Sequence, residues 1–179
     1  MKVLIPAVNS IDHIFGNPAA PIELVEYGDY ECPYCGRAYP IVKSIQQKLG
    51  DEIKFVFRNF PLSKIHPNAF SAAVATEAAA LQNRFWEMHD IIFENQKLLE
   101  DDFILLYASR LDLDLVRFNE DIQQKSLAKK VEKDFDSGIR SGVNRTPTFF
   151  INGAKYEGEW TGDQLFQYLK GLLTDVSIK

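Results

Sequence analysis

The feature that most confines this chain is the placement of its two cysteines, Cys32 and Cys35, in a Cys-Pro-Tyr-Cys unit. A strand-like run at residues 22–27 leads into the unit, and a helix-like run at residues 35–49 leaves it, so the fold must end a strand and begin a helix at the sulfurs. A helix start offers free backbone N–H groups and the positive end of the macrodipole, and both favour a thiolate at Cys32. Pro33 suits the first helical position, where a missing N–H costs nothing. The i, i+3 spacing puts both side chains on one helix face within bonding range, so a reversible disulfide can close there. Cys32 is the expected exposed nucleophile and Cys35 the deeper, resolving sulfur.

Glu26 shares a strand face with Ile22 and Leu24, where a carboxylate needs a reason. A buried carboxyl of raised pKa could take the proton from Cys35 during exchange. The plainer alternative is an edge strand on which Glu26 reaches water.

Along the chain, residues 11–21 read as a turn-forming lead into the first strand. After the cysteine helix, with Pro40 inside it, Gly50 ends the run and residues 52–59 alternate as a strand, which predicts a βαβ unit with a parallel pair. Residues 66–142 read as helical throughout: an alanine-rich helix, a stripe of Phe85, Met88 and Ile92, and a second stripe of Leu127, Val131, Phe135 and Ile139. Residues 148–151 are β-branched and aromatic, Asn152-Gly153 is a hairpin signal, and residues 155–159 form the expected return strand. Thr161 to Gln164 reads as a capping box opening a last helix with Leu165, Leu169 and Leu172 facing inward.

The run HIFGNPAAPIELVEYGDYECPYC, the helical stretch HPNAFSAAVATEAAALQNRFWEMHDIIFENQ and the segment GVNRTPTFFINGAKYEG together resemble, in order, the DsbA-like branch of the thioredoxin superfamily. The resemblance covers residues 13–173. It implies an α/β thioredoxin fold, a central mixed β-sheet flanked by helices, with an inserted all-helical domain: core at residues 1–65 and 143–179, insertion at residues 66–142. It also implies thiol:disulfide oxidoreductase activity. By the same resemblance Thr146-Pro147 is a cis peptide facing the cysteines, and Pro33, Tyr34, Thr146 and Pro147 form the substrate side, with Thr146 offering backbone to an extended peptide. The alternative for Pro147 is a trans proline opening an edge strand.

The chain has 179 residues, a formal charge of -5 and a pI near 5.2, which argues against nucleic acid or an anionic membrane surface as the main partner. No stretch reaches transmembrane length and the N-terminal apolar run is too short for a secretory signal, so a cytoplasmic monomer is expected, or a periplasmic protein if an export signal has been trimmed. Lys129, Lys130 and Lys133 are expected on a solvated helix face. A structural zinc site needs ligands beyond the cysteine pair, and His13, His66 and His89 lack finger spacing, so no metal or other cofactor is expected. His66 reads as a cap or surface group and His89 as a core histidine. The expected partners are protein or peptide thiols and disulfides, with a redox partner or glutathione. Two other classes stay open: a glutathione-dependent isomerase or transferase, and a non-catalytic peptide-binding module.

Asp29 and Glu31 place negative charge near Cys32, which opposes the thiolate and predicts a pKa above that of the strong oxidants. The potential is then expected on the order of -200 to -270 mV, that of a reductant or relay.

Overall fold

A computed structural model describes residues 2–176. Strand β1 (Ile14–Gly16) is followed by β2 (Ile22–Gly28), helix α1 (Pro33–Leu49), a 3₁₀ turn at Gly50–Glu52 and β3 (Ile53–Asn59). Five helices come next: α2 (Ala69–Ala80), α3 (Phe85–Glu94), α4 (Asp101–Arg110), α5 (Leu115–Asp121) and α6 (Lys125–Arg140). Strands β4 (Thr148–Ile151) and β5 (Ala154–Lys155) and helix α7 (Gln164–Val176) complete the order. The sheet runs β1-β3-β2-β4-β5. It is mixed: β2 pairs parallel with β3 and antiparallel with β4. This is a thioredoxin fold with helices inserted between β3 and β4.

Strand β2 lies at the centre of the sheet, which removes the edge-strand reading of Glu26. Alternation sends Ile22 and Leu24 into one core with α1, α7 and the inserted helices, while Val25 and Tyr27 enter a second core with Leu4, Val56, Phe60 and Val143. The alanines of α2 allow the close approach that their size predicts, and Ala72, Ala78 and Ala79 have no exposed surface. The Asn152-Gly153 hairpin forms with both residues at positive φ, 48° and 78°, the turn such a pair favours.

Several expectations are corrected. The lead at residues 11–21 contains β1, paired antiparallel to β3; its two apolar residues before Gly16 are too few to show a period. The return strand stops at Lys155: the Tyr156 amide still donates to the Phe149 carbonyl at 2.9 Å, and beyond it residues 157–159 are exposed. The Thr161 hydroxyl turns to Glu159 at 3.3 Å, so no capping box closes with it.

Helix α6 changes partners along its length, which breaks the expected stripe. Leu127 and Val131 join the first core, but Ile139 is exposed and Asp134, Ser137 and Gly138 face inward instead. A methyl on Gly138 would stand 2.6 Å from the Phe60 ring, closer than carbon atoms pack, so glycine is what lets the helix reach the sheet there. Lys130 is not on a solvated face: its Nζ sits 2.8 Å from Asp134 and 3.6 Å from Glu77, with the side chain 14% exposed.

Candidate functional site

The site forms where β2 ends and α1 begins. Cys32 is the N-cap of α1, with φ -70° and ψ 122°, and Pro33 occupies the first turn. The Cys32 amide donates to the Asp29 carbonyl at 3.1 Å and to Asp29 Oδ1 at 3.0 Å. Its thiol faces the Thr146 carbonyl at 3.6 Å. Both cysteines are free thiols. Cys32 is more buried than expected, at 4% exposure, yet it remains the more accessible of the two, because Cys35 has none.

The two sulfurs are driven apart in acidity. Cys32 is lowered to about 5, first by the hydrogen bond from the Cys35 thiol, against the opposing effect of burial, and then by Thr146 and the amides of Cys35 and Tyr34. Cys35 is pushed well above the ordinary thiol range, first by burial and then by its bond to Cys32 and the charge of Glu26. One sulfur is thus a thiolate at neutral pH while the other holds its proton.

Glu26 reaches under this pair from the central strand. It is 3% exposed, and burial followed by the Cys32 charge raises its carboxyl to about 8. Its Oε1 has no hydrogen-bond partner.

The expected acidic opposition to the thiolate does not materialise, because both carboxylates are turned to other donors. Asp29 Oδ1 accepts from the Glu31 amide at 2.7 Å as well as from Cys32, and Oδ2 accepts from the Leu62 amide at 2.7 Å and His66 Nδ1 at 2.8 Å. Glu31 accepts from the Asn68 amide at 2.7 Å. The leading influences on Cys32 are hydrogen bonds to its own sulfur.

Of the residues expected on the substrate side, Tyr34, Thr146 and Pro147 meet on one groove. The Thr146–Pro147 peptide is cis and packs beside the cysteines. Tyr34 is 54% exposed, with the Arg37 guanidinium 4.4 Å from its ring centre. Tyr34, Arg37, Thr146, Pro147, Glu157 and Trp160 line an open groove of about 710 Å³, within the size range of binding clefts. Pro33 is exposed next to them on α1.

Sequence reasoning missed two contributors. Gln96, in the loop after α3, donates to the carbonyls of Tyr30 at 2.8 Å and Cys32 at 3.0 Å. A lone glutamine in a helical stretch carries no signal for such a role. His66 was expected at a cap or on the surface, but its ring is held by Asp29, whose side chain has no exposed surface. His89 is the core histidine expected, lowered to about 3 by burial and then by the Lys43 charge.

Comparison with known proteins places this geometry. A family described as thioredoxin matches residues 9–171. The chain is 40% identical over 172 residues to a protein named Na(+)/H(+) antiporter NhaA 1 from Mycolicibacterium gilvum, a match covering 95% of this chain and 28% of that one. It thus spans about a quarter of the length of the curated relatives it matches. Among solved structures, oxidised BdbD from Bacillus subtilis superposes with a TM-score of 0.79 at 25% identity, covering 91% of this chain and 93% of that one. Wolbachia pipientis alpha-DsbA1 superposes with a TM-score of 0.83 at 22% identity, covering 96% of each chain. The chain belongs to the thioredoxin family and carries the DsbA-like form of its fold.

Proposed function

We propose that this protein is a thiol:disulfide oxidoreductase in which Cys32 is the nucleophile and Cys35 the resolving sulfur. The observation that carries this reading is the split acidity of two sulfurs on one helix turn, lowered to about 5 at Cys32 and raised at Cys35. In the reducing direction the Cys32 thiolate attacks a substrate disulfide, one substrate sulfur leaves as thiolate, and a mixed disulfide forms. That bond removes the Cys32 charge, which is one of the two influences holding Glu26 protonated. Glu26 then ionises more readily, giving its proton to solvent, and as a carboxylate can take the Cys35 proton as Cys35 attacks Cys32. The second substrate sulfur leaves as thiolate. The substrate has gained two electrons and the cysteine pair has become a disulfide; oxidation of a substrate dithiol runs the same steps backward.

The groove beside Cys32 supports an extended protein or peptide substrate lying on Pro33, Tyr34, Thr146 and Pro147, with a redox partner or glutathione resetting the pair. Ion transport, the activity in the relatives' names, is not carried over. They extend far beyond the matched segment, and among the described residues no helix is long and apolar enough to cross a membrane.

The test is the redox equilibrium of the pair in glutathione buffer together with alkylation of the dithiol form. A Cys32 value of about 5 falls between the roughly 7 of thioredoxin and the roughly 3.5 of the strong oxidant. The expected potential is therefore on the order of -200 mV, at the upper end of the range expected from the sequence. Iodoacetamide should label Cys32 far faster than Cys35 at neutral pH, and equal labelling would remove the assignment of roles. A potential more positive than about -150 mV would end both the reductant role and the cytoplasmic placement expected from the sequence.

A further inference from the structure

One residue touches both cysteines without being either. The Asp29 carboxylate accepts the Cys32 amide at 3.0 Å, and the Asp29 amide donates to Cys35 Sγ at 3.4 Å. Its carboxylate is fully buried and takes four donors. Three of them are backbone amides, fixed by the chain. The fourth is His66 Nδ1, at 2.8 Å, the one side chain among them. His66 precedes α2, so it reaches the cysteine loop from the start of the inserted helices.

We propose that His66 is a positioning residue for thiol–disulfide exchange, acting through Asp29 to set the balance between dithiol and disulfide at Cys32 and Cys35. The inference rests on the oxidoreductase reading above. With one donor fewer, the negative charge of a buried carboxylate is less compensated by its surroundings. That carboxylate is hydrogen-bonded to the residue bearing the nucleophile, so the added negative potential falls on the Cys32 sulfur and disfavours its thiolate. A less stable thiolate favours the disulfide and makes the pair a weaker oxidant. The same donor also orients the carboxylate toward the Cys32 amide, and with it the Asp29 amide aimed at Cys35.

The experiment compares wild type, His66→Ala, His66→Asn and Asn68→Ala. For each, the Cys32 thiolate midpoint is followed by thiolate absorbance, and the equilibrium constant is measured against glutathione. His66→Ala is expected to raise the midpoint and shift the equilibrium several-fold toward the disulfide. His66→Asn places an amide N–H near the lost Nδ1 and is expected to restore both. Asn68→Ala removes only a side-chain bond to Glu31 and is expected to change neither. If His66→Ala lowers the melting temperature yet leaves midpoint and equilibrium at wild-type values, the role is structural and the proposal falls. Should His66→Ala not fold, wild type decides. Coupling is reciprocal, so the His66–Asp29 hydrogen bond must differ in strength between the dithiol and disulfide forms; the His66 Nδ1 chemical shift should move between them, and an unchanged shift overturns the proposal. If wild type itself shows no reversible couple, the oxidoreductase reading fails instead.

Discussion

Glu26 and Tyr27 are neighbours on the central strand, both buried and both polar, and they end in opposite circumstances. The Tyr27 hydroxyl meets Ser137 Oγ at 2.7 Å and accepts from Arg58 Nη1 at 2.9 Å. On the other face Glu26 Oε1 has no partner, and its carboxyl is raised to about 8. Burial alone therefore does not tell a structural polar group from a reactive one. The partnered face spends its polar groups on holding elements together, while the unpartnered face keeps a proton that can be moved.

The largest expected effect lies on the Tyr27 face. Arg58 donates to both Asp12 oxygens at 2.8 Å, to the Pro6 carbonyl at 3.0 Å and to Tyr27, with Arg58 and Asp12 side chains each 2% exposed. Arg58→Met would strand the Asp12 carboxylate without its counter-charge, and the expected loss is about 3–5 kcal/mol in urea unfolding. The folded fraction should keep the wild-type Cys32 titration. A midpoint that moved with Arg58 would mean the two faces are coupled and break the comparison.

Glu26→Gln tests the reactive face, with a smaller effect on stability. A group whose folded pKa is raised contributes stability fully below its unfolded value and loses it as pH climbs through the folded one. For Glu26 that window runs from 4.5 to about 8 in the dithiol form. The variant should match wild type in stability near pH 4 and exceed it progressively as pH rises through that window towards 9. Its resolving step should slow by about 10²-fold, because an amide cannot take the Cys35 proton, and mixed disulfides should accumulate. Wild-type turnover between pH 6 and 8 would reduce Glu26 to a packing residue.

The difference between the two faces also explains what could be read from sequence. Glu26 stood out because strand alternation is a local rule and a carboxylate among Ile22 and Leu24 violates it. The cysteines, the Asn152-Gly153 turn and the helices of residues 66–142 were legible for the same reason: each signal is complete within a few residues. The partners of Tyr27 lie far off in sequence, on β3 and α6, and no local pattern announces them. Lys130 and Ile139 were misassigned on that account, since α6 leaves one core for the other partway along and its inward face changes from apolar to polar. Asp29 was read by its charge alone. Its effect depends on four donors, and two of them, the Leu62 amide and His66, come from the loop between β3 and α2, whose position only the folded sheet fixes.

The smallest expected effect is the most exacting test of separation between the faces. Ser137 Oγ meets the Tyr27 hydroxyl at 2.7 Å and also donates to the Asp134 carbonyl at 2.7 Å. Ser137 Oγ gives its proton to Asp134, so Tyr27 donates to Ser137, and Ser137→Ala removes both bonds and leaves the tyrosine proton without that acceptor while its oxygen still accepts from Arg58. The Asp134 carbonyl keeps its place in α6. With one buried neutral donor left unpaired, the loss should be about 1–2 kcal/mol, measured by urea unfolding. Because Ser137 acts on the Tyr27 face alone, the Cys32 thiolate midpoint and the glutathione equilibrium should not change. A shift in either would show that β2 transmits packing from one face to the other, and Glu26 would then owe part of its raised pKa to contacts behind the sheet.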